Sequence, residues 1–220
     1  APETLPLAHG FDSYFGLPYS NDMWPYHYGD HDRGLIGNPN WPDLPLLEST
    51  AEDATHHTAY RTVELNPRQH TLTPRYLDRS LAFIDQQADA DRPFFLYLAL
   101  SHPHVPIAAS DAFRGTTGRG LYADMIAEID DAVGRLRTRL EDHGLTENTL
   151  IIFTSDNGPW TRFGSEGGRE APLRGTKGTS FEGGVRVPFI AAWPGVIPAG
   201  HESDHIVAAM DVLPTIGAWT

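Results

Sequence analysis

Apolar positions recur at two spacings along this chain, and the alternation between them marks out its elements. From Pro74 to about Ala88, Leu77, Leu81, Phe83 and Ile84 follow a helical stripe that stops near Asp91-Arg92-Pro93. Phe94 to Leu100 is a nearly continuous apolar run, the pattern of a strand covered on both faces in a parallel sheet, and it ends at Ser101-His102-Pro103-His104. Leu121, Met125, Ile129, Val133, Leu136 and Leu140 return at intervals of three and four, which predicts an amphipathic helix closed by His143-Gly144. Thr149 to Thr154 and Val187 to Trp193 read as two more buried strands. Strand, long helix and strand in succession predict a right-handed parallel crossover. The expected class is therefore α/β, with an open, mostly parallel central sheet and helices on both faces.

Residues 1 to 73 break this regularity. Turn signals such as Gly37-Asn38-Pro39-Asn40 and Trp41-Pro42-Asp43 predict loops with little regular structure, and long ordered loops commonly carry function. The longest apolar runs fall far short of the roughly 20 residues that cross a bilayer, so no membrane span is expected. No secretory signal is visible in Ala1 to Gly10.

Charge narrows the candidate partners. With 29 acidic against 16 basic side chains and a formal charge of -13, the chain is a poor ligand for nucleic acid, whose phosphates require a basic surface. An anionic substrate would need a local cationic pocket. The absence of cysteine leaves oxygen and imidazole as the only metal ligands.

In open α/β sheets ligands gather beyond the carboxyl ends of the strands. Asp156 and Asn157 follow one such end and present hard oxygen donors suited to calcium or magnesium, although Asp-Asn-Gly-Pro is also a strong turn sequence. Two residues fall short of the roughly six to eight oxygens that calcium takes. His102 and His104 follow another strand end and point to one side if the backbone stays extended. Two histidines are too few for a catalytic zinc, and His56-His57 lies in an unrelated loop. What remains is acid-base work by one of the pair, or one ring capping a backbone group with the other exposed. The stretch Leu173 to Gly184 surrounds Arg174 and Lys177 with glycines, either to bring backbone and ammonium close to an anion or simply as a flexible surface loop. It lacks the spacing of a nucleotide-binding P-loop. Aromatics from Trp24 to Trp41, and the stretch Trp160 to Arg169, are candidates either to line a pocket entrance or to act as ordinary loop anchors.

Four segments, in order, resemble the sulfatase family of the alkaline phosphatase superfamily. They are His9-Gly10-Phe11-Asp12 with Phe15 to Asp22; Pro93 to Tyr97 through His104-Val105-Pro106; Thr154-Ser155-Asp156-Asn157-Gly158; and Arg174 to Gly178 with Phe181 to Pro188. Trp193-Pro194-Gly195 and Asp211 to Thr215 extend the likeness. The resemblance implies that Asp156 and Asn157 are calcium ligands, that Lys177 and His104 contact a sulfate ester, and that Ser20 lies in the active site. His102 has no counterpart. It further implies hydrolysis of a small-molecule or carbohydrate sulfate ester by a formylglycine nucleophile, in a periplasmic or extracellular protein. The family's paired N-terminal aspartates and its Cys- or Ser-x-Pro-x-Arg motif, which carries the formylglycine, are absent. Residues 1–220 are therefore expected to be a partial catalytic domain with a partial calcium site. It would lack the N-terminal nucleophile segment and the antiparallel C-terminal subdomain, and would be inactive alone. The rival readings are a phosphate or phosphonate ester hydrolase of the same superfamily and a noncatalytic calcium- or anion-binding remnant.

Overall fold

A computed structural model describes residues 2–26, 41–50, 60–90 and 92–219. The chain divides into two compact units, Ala1–His143 with Phe163–Gly167, and Gly144–Arg162 with Gly168–Thr220.

The first unit contains β1 (Tyr14–Gly16), β2 (Pro45–Ser49) and β3 (Arg61–Leu65), an antiparallel sheet in the order β1-β2-β3 with Phe15 opposite Glu48 and Pro45 opposite Leu65. Two helices follow, α1 (Leu72–Ala88) and α2 (Leu121–Asp142). Both fall where the helical spacing places them, and the predicted stripe is the face they bury. Leu77 and Leu81 of α1 pack against Ala132 and Leu136 of α2. Leu72 and Tyr76 join Leu46 of the sheet, with Phe15, Leu17 and Val63 against them. Gly144, with φ of 67°, takes the left-handed position just past α2, as its predicted cap requires. Asp85 fastens the exposed ends of the helices, accepting from Arg139 at 2.5 Å and meeting His143 Nε2 at 2.8 Å.

The loop before α2 hangs on one buried carboxylate. Asp124 accepts from the Thr117 hydroxyl at 2.6 Å and from the main-chain N–H groups of Gly115 and Thr117 at 2.8 and 3.1 Å. The Thr117 hydroxyl, then the Gly115 and Thr117 amides, hold its carboxyl below the usual range. A depressed carboxyl stabilises the fold above its unfolded-state pKa, and the contribution is lost as pH falls through the folded-state value. Asp124→Asn is expected to lower the thermal midpoint at neutral pH and to flatten its decline from about pH 5 downward; an unchanged acid limb in melts across pH would contradict this.

The run 94–100 departs from expectation. Its residues alternate between half-buried and exposed, as an extended chain does, yet it joins no ladder among the described residues. Leu98 and Leu100 pack on the Leu46–Leu72–Tyr76 cluster, while Phe95 and Tyr97 are 57% and 70% exposed. A continuous apolar run predicts cover on both faces. The structure covers one, because the other meets no sheet or helix among the described residues.

The second unit contains β4 (Ile151–Thr154) and β5 (Phe189–Ala192), each inside its predicted run, with a short helix α3 (Glu182–Val185) and a terminal helix α4 (Ala209–Trp219). β4 and β5 pair antiparallel, with Ile151 opposite Ala192 and Thr154 opposite Phe189. The class is α/β as expected, but every ladder among the described residues is antiparallel, and β4 does not pair with the run 94–100. Trp193 ends β5 by donating its indole N–H to the Glu147 carbonyl at 3.0 Å and packing edge-on to Trp219. Among the described residues no helix is long and apolar enough to cross a membrane.

Candidate active site

The chemistry-bearing loops of the second unit begin where β4 ends. Ser155 donates its hydroxyl to the Asn157 carbonyl at 3.2 Å, and Asn157 Nδ2 donates to Asp156 Oδ1 at 2.9 Å. This is the turn that Asp-Asn-Gly-Pro favours, and it sets a carboxylate beside a side-chain amide at the open end of the strand. Asp156 is exposed and Asn157 half-buried.

Gly158 brings this turn against the glycine-rich segment. Its N–H donates to the Gly184 carbonyl at 3.0 Å, and a Cβ at 158 would lie 1.9 Å from the Gly183 oxygen. A Cβ at Gly183 would meet the Gly175 oxygen at 2.2 Å, and one at Gly184 the Thr179 oxygen at 2.3 Å. Three glycines in contact let two loops pack backbone to backbone. One residue on, the Pro159 carbonyl accepts both the Lys177 N–H, at 3.0 Å, and the Thr176 hydroxyl.

Lys177 stands in a closed turn and not in a loose loop. Thr179 donates its N–H to the Thr176 carbonyl at 3.0 Å and its hydroxyl to the same oxygen at 2.8 Å, and accepts from the Thr176 N–H at 3.2 Å. Gly175, with φ of 86°, makes the reversal that opens this turn. The Lys177 ammonium lies 4.8 Å from the centre of the Trp160 ring, and the Arg174 guanidinium 3.8 Å from that of Phe181. Asp156, Asn157 and Lys177 thus sit on loops bonded directly to each other.

Ser20 and His104 belong to the first unit. Ser20 is exposed, and its carbonyl accepts from the Met23 N–H at 3.0 Å. The adjoining Asn21 fixes the run by exchanging amide hydrogen bonds with the fully buried Gln69: Asn21 Nδ2 donates to Gln69 Oε1 at 3.0 Å, and Gln69 Nε2 to the Asn21 carbonyl at 3.2 Å. The chain turns after Ser101, so His102 and His104 do not share one side of an extended strand. His102 is buried with Nδ1 at 3.2 Å from the Thr73 hydroxyl. His104 is half-buried, and its Nδ1–H donates to the Val105 carbonyl at 2.8 Å, which leaves the lone pair of the neutral ring on Nε2.

Trp24 takes the anchor reading of the two open to it. It is fully buried and packs edge-on to Tyr26, so it anchors the core and does not line an entrance. The remainder of that aromatic stretch between residues 27 and 40, and His56-His57, lie outside the described residues. Sequence reasoning missed the Gly158–Gly183–Gly184 contact and the Pro159 carbonyl. The adjacent glycines were the available signal for the first, and a main-chain acceptor leaves none.

Among the described residues no group of three or more His, Asp or Glu converges as a metal centre. Asp156 and Asn157 still fit a hard cation in part: rotating the Asn157 amide turns its oxygen toward the Asp156 carboxylate, a pair of donors suited to calcium.

The sulfatase family model matches residues 3–220. The chain belongs to the sulfatase family. It is 39% identical to the N-acetylgalactosamine-6-sulfatase of Canis lupus familiaris over 215 residues, which cover 97% of this chain and 39% of that one. Human arylsulfatase A is 39% identical over 229 residues, covering 97% and 41%. Among solved structures, the PsFucS1 sulfatase from Pseudoalteromonas sp. superposes with a TM-score of 0.77 at 31% identity, covering 89% of this chain and 40% of that one. Ps i-CgsB, solved with k-i-k-neocarrahexaose, gives 0.71 at 32% identity, covering 99% and 47%. The α/β fold is thus that of sulfatases. The chain spans about two fifths of the length of the curated relatives it matches.

Proposed function

We propose that the polypeptide carrying these residues hydrolyses sulfate esters, and that Asp156, Asn157, Lys177, His104 and Ser20 belong to its active site. The observation that carries this is the backbone contact holding the Asp156–Asn157 turn against the Lys177 turn. It supports the reading by joining the turn that carries the proposed oxygen donors to the turn that carries the proposed cation, in a chain whose overall charge would otherwise repel an anion. Asp156 and Asn157 would hold calcium, which when bound draws negative charge from sulfate oxygens as a Lewis acid. Lys177 supplies a second positive charge to those oxygens, where charge accumulates as the ester bond breaks. By the family resemblance, His104 would protonate the leaving oxygen and Ser20 would contribute a hydroxyl. The formylglycine nucleophile belongs elsewhere in the polypeptide, since these residues include no cysteine and no Ser-x-Pro-x-Arg. Residues 1–220 in isolation are accordingly inactive, a partial catalytic domain with weak affinity for calcium.

The substrate we favour is a carbohydrate sulfate ester. One relative is named for N-acetylgalactosamine 6-sulfate chemistry and another was solved with a neocarrahexaose. A periplasmic or extracellular location suits such a substrate.

Turnover of an aryl sulfate in preference to an aryl phosphonate by the full-length polypeptide tests the reaction class, and the reverse preference would overturn it. For the acid, His104→Ala is expected to slow esters of poor leaving groups by about a hundredfold while sparing those of good ones. Equal losses across a leaving-group series would remove His104 from that role.

A further inference from the structure

We propose that Trp160 is a positioning residue for Lys177, its indole holding the ammonium where an anion is received. The inference rests on the reading of Lys177 as the cation that meets sulfate. Lysine carries its charge on a flexible four-carbon stem, and a fixed main chain alone does not place Nζ. Here the side chain is held as well, because Nζ lies 4.8 Å from the centre of the Trp160 ring. An aromatic face attracts an ammonium through its quadrupole, most strongly for tryptophan, and does so without occupying an oxygen acceptor.

The surrounding bonds show that this contact is built. The Lys177 N–H donates to the carbonyl of Pro159, the residue before Trp160, at 3.0 Å. On the other flank Thr161 donates its N–H to the Thr176 hydroxyl at 3.3 Å, with the two hydroxyls 3.2 Å apart. Residues 159–161 are therefore locked against 176–177 on both sides of the ring, and both side chains are half-buried.

The test uses the full-length polypeptide with Trp160→Met, Trp160→Phe, Lys177→Met and the double variant Trp160→Met with Lys177→Met. Two quantities are read: the affinity for inorganic sulfate by calorimetry and kcat/KM for an aryl sulfate. Trp160→Met is expected to weaken both by about 3- to 10-fold. Trp160→Phe should recover most of the loss, and in the Lys177→Met background Trp160→Met should change kcat/KM by less than about twofold. Equal losses for Met and Phe, or an undiminished loss without Lys177, would overturn the proposal. Should Trp160→Met fail to fold, Trp160→Leu provides the same comparison with Trp160→Phe. Sulfate binding that depends on Trp160 without ester turnover would remove the hydrolase reading and keep this one. Turnover with sulfate binding indifferent to Trp160 would do the reverse.

Discussion

Gly158→Ala is expected to destabilise the full-length protein by about 3 kcal/mol or more and to abolish most of its activity. The added Cβ would lie 1.9 Å from the Gly183 oxygen, 2.9 Å from its carbonyl carbon and 3.2 Å from the Gly184 Cα. All three are main-chain atoms, so no rotamer change relieves the overlap, and one loop must withdraw from the other. Withdrawal breaks the bond from the Gly158 N–H to the Gly184 carbonyl and strains that from the Lys177 N–H to Pro159. Overpacking costs about 1–3 kcal/mol and each lost hydrogen bond about 1 kcal/mol. Gly134 provides a control of opposite sign. It lies within α2, where an added Cβ would meet nothing within 4 Å, so Gly134→Ala should stabilise by about 0.5–1 kcal/mol. Urea unfolding of both variants decides the matter, and a Gly158→Ala protein as stable as wild type would mean that the two loops are not in contact.

Asp156→Ala should lower kcat/KM of the full-length protein by at least about a hundredfold and move the calcium dependence of the remaining activity to higher concentration. Asp156 contributes the only carboxylate of the Ser155–Asn157 turn, so one substitution removes the charged donor of the pair. Asp130→Ala, at an exposed position on α2, removes an equal charge and should leave the calcium titration unchanged. If the two variants titrate alike, Asp156 is not a ligand.

The helices were the most legible part of the fold. Their apolar stripes are local, and α2 runs from Leu121 to Asp142, where the spacing from Leu121 to Leu140 predicts it. The positions of β4 and β5 were legible for the same reason. Burial and pairing were not: β4 and β5, expected to be buried, are half-buried to exposed, and an apolar run says nothing of which strand lies beside it. Phe94 to Leu100 therefore reads as a strand covered on both faces, while among the described residues its Leu98 and Leu100 side packs on the core and, on the other side, Phe95 meets the Phe11 ring. At the candidate site, Asp156, Asn157 and Lys177 could be named from their placement after strands and among glycines. The contact between their loops follows from no local pattern, and only the family resemblance implies it, since it depends on clearances around Gly158, Gly183 and Gly184 that span some 25 residues of chain. By local pattern His102 and His104 are equivalent, and only the family resemblance singles out His104; in the structure they differ because the chain turns between them. One ring goes to Thr73 inside the fold and the other to the main chain at Val105.

The oxygen that joins the two loops, that of Pro159, belongs to the peptide and not to any side chain. Exchange of the residue at that position leaves the joint available, so the chemical groups keep their spacing while neighbouring side chains vary. Substitutions on the exposed surface of this loop can thus accumulate without separating the Asp156–Asn157 and Lys177 turns.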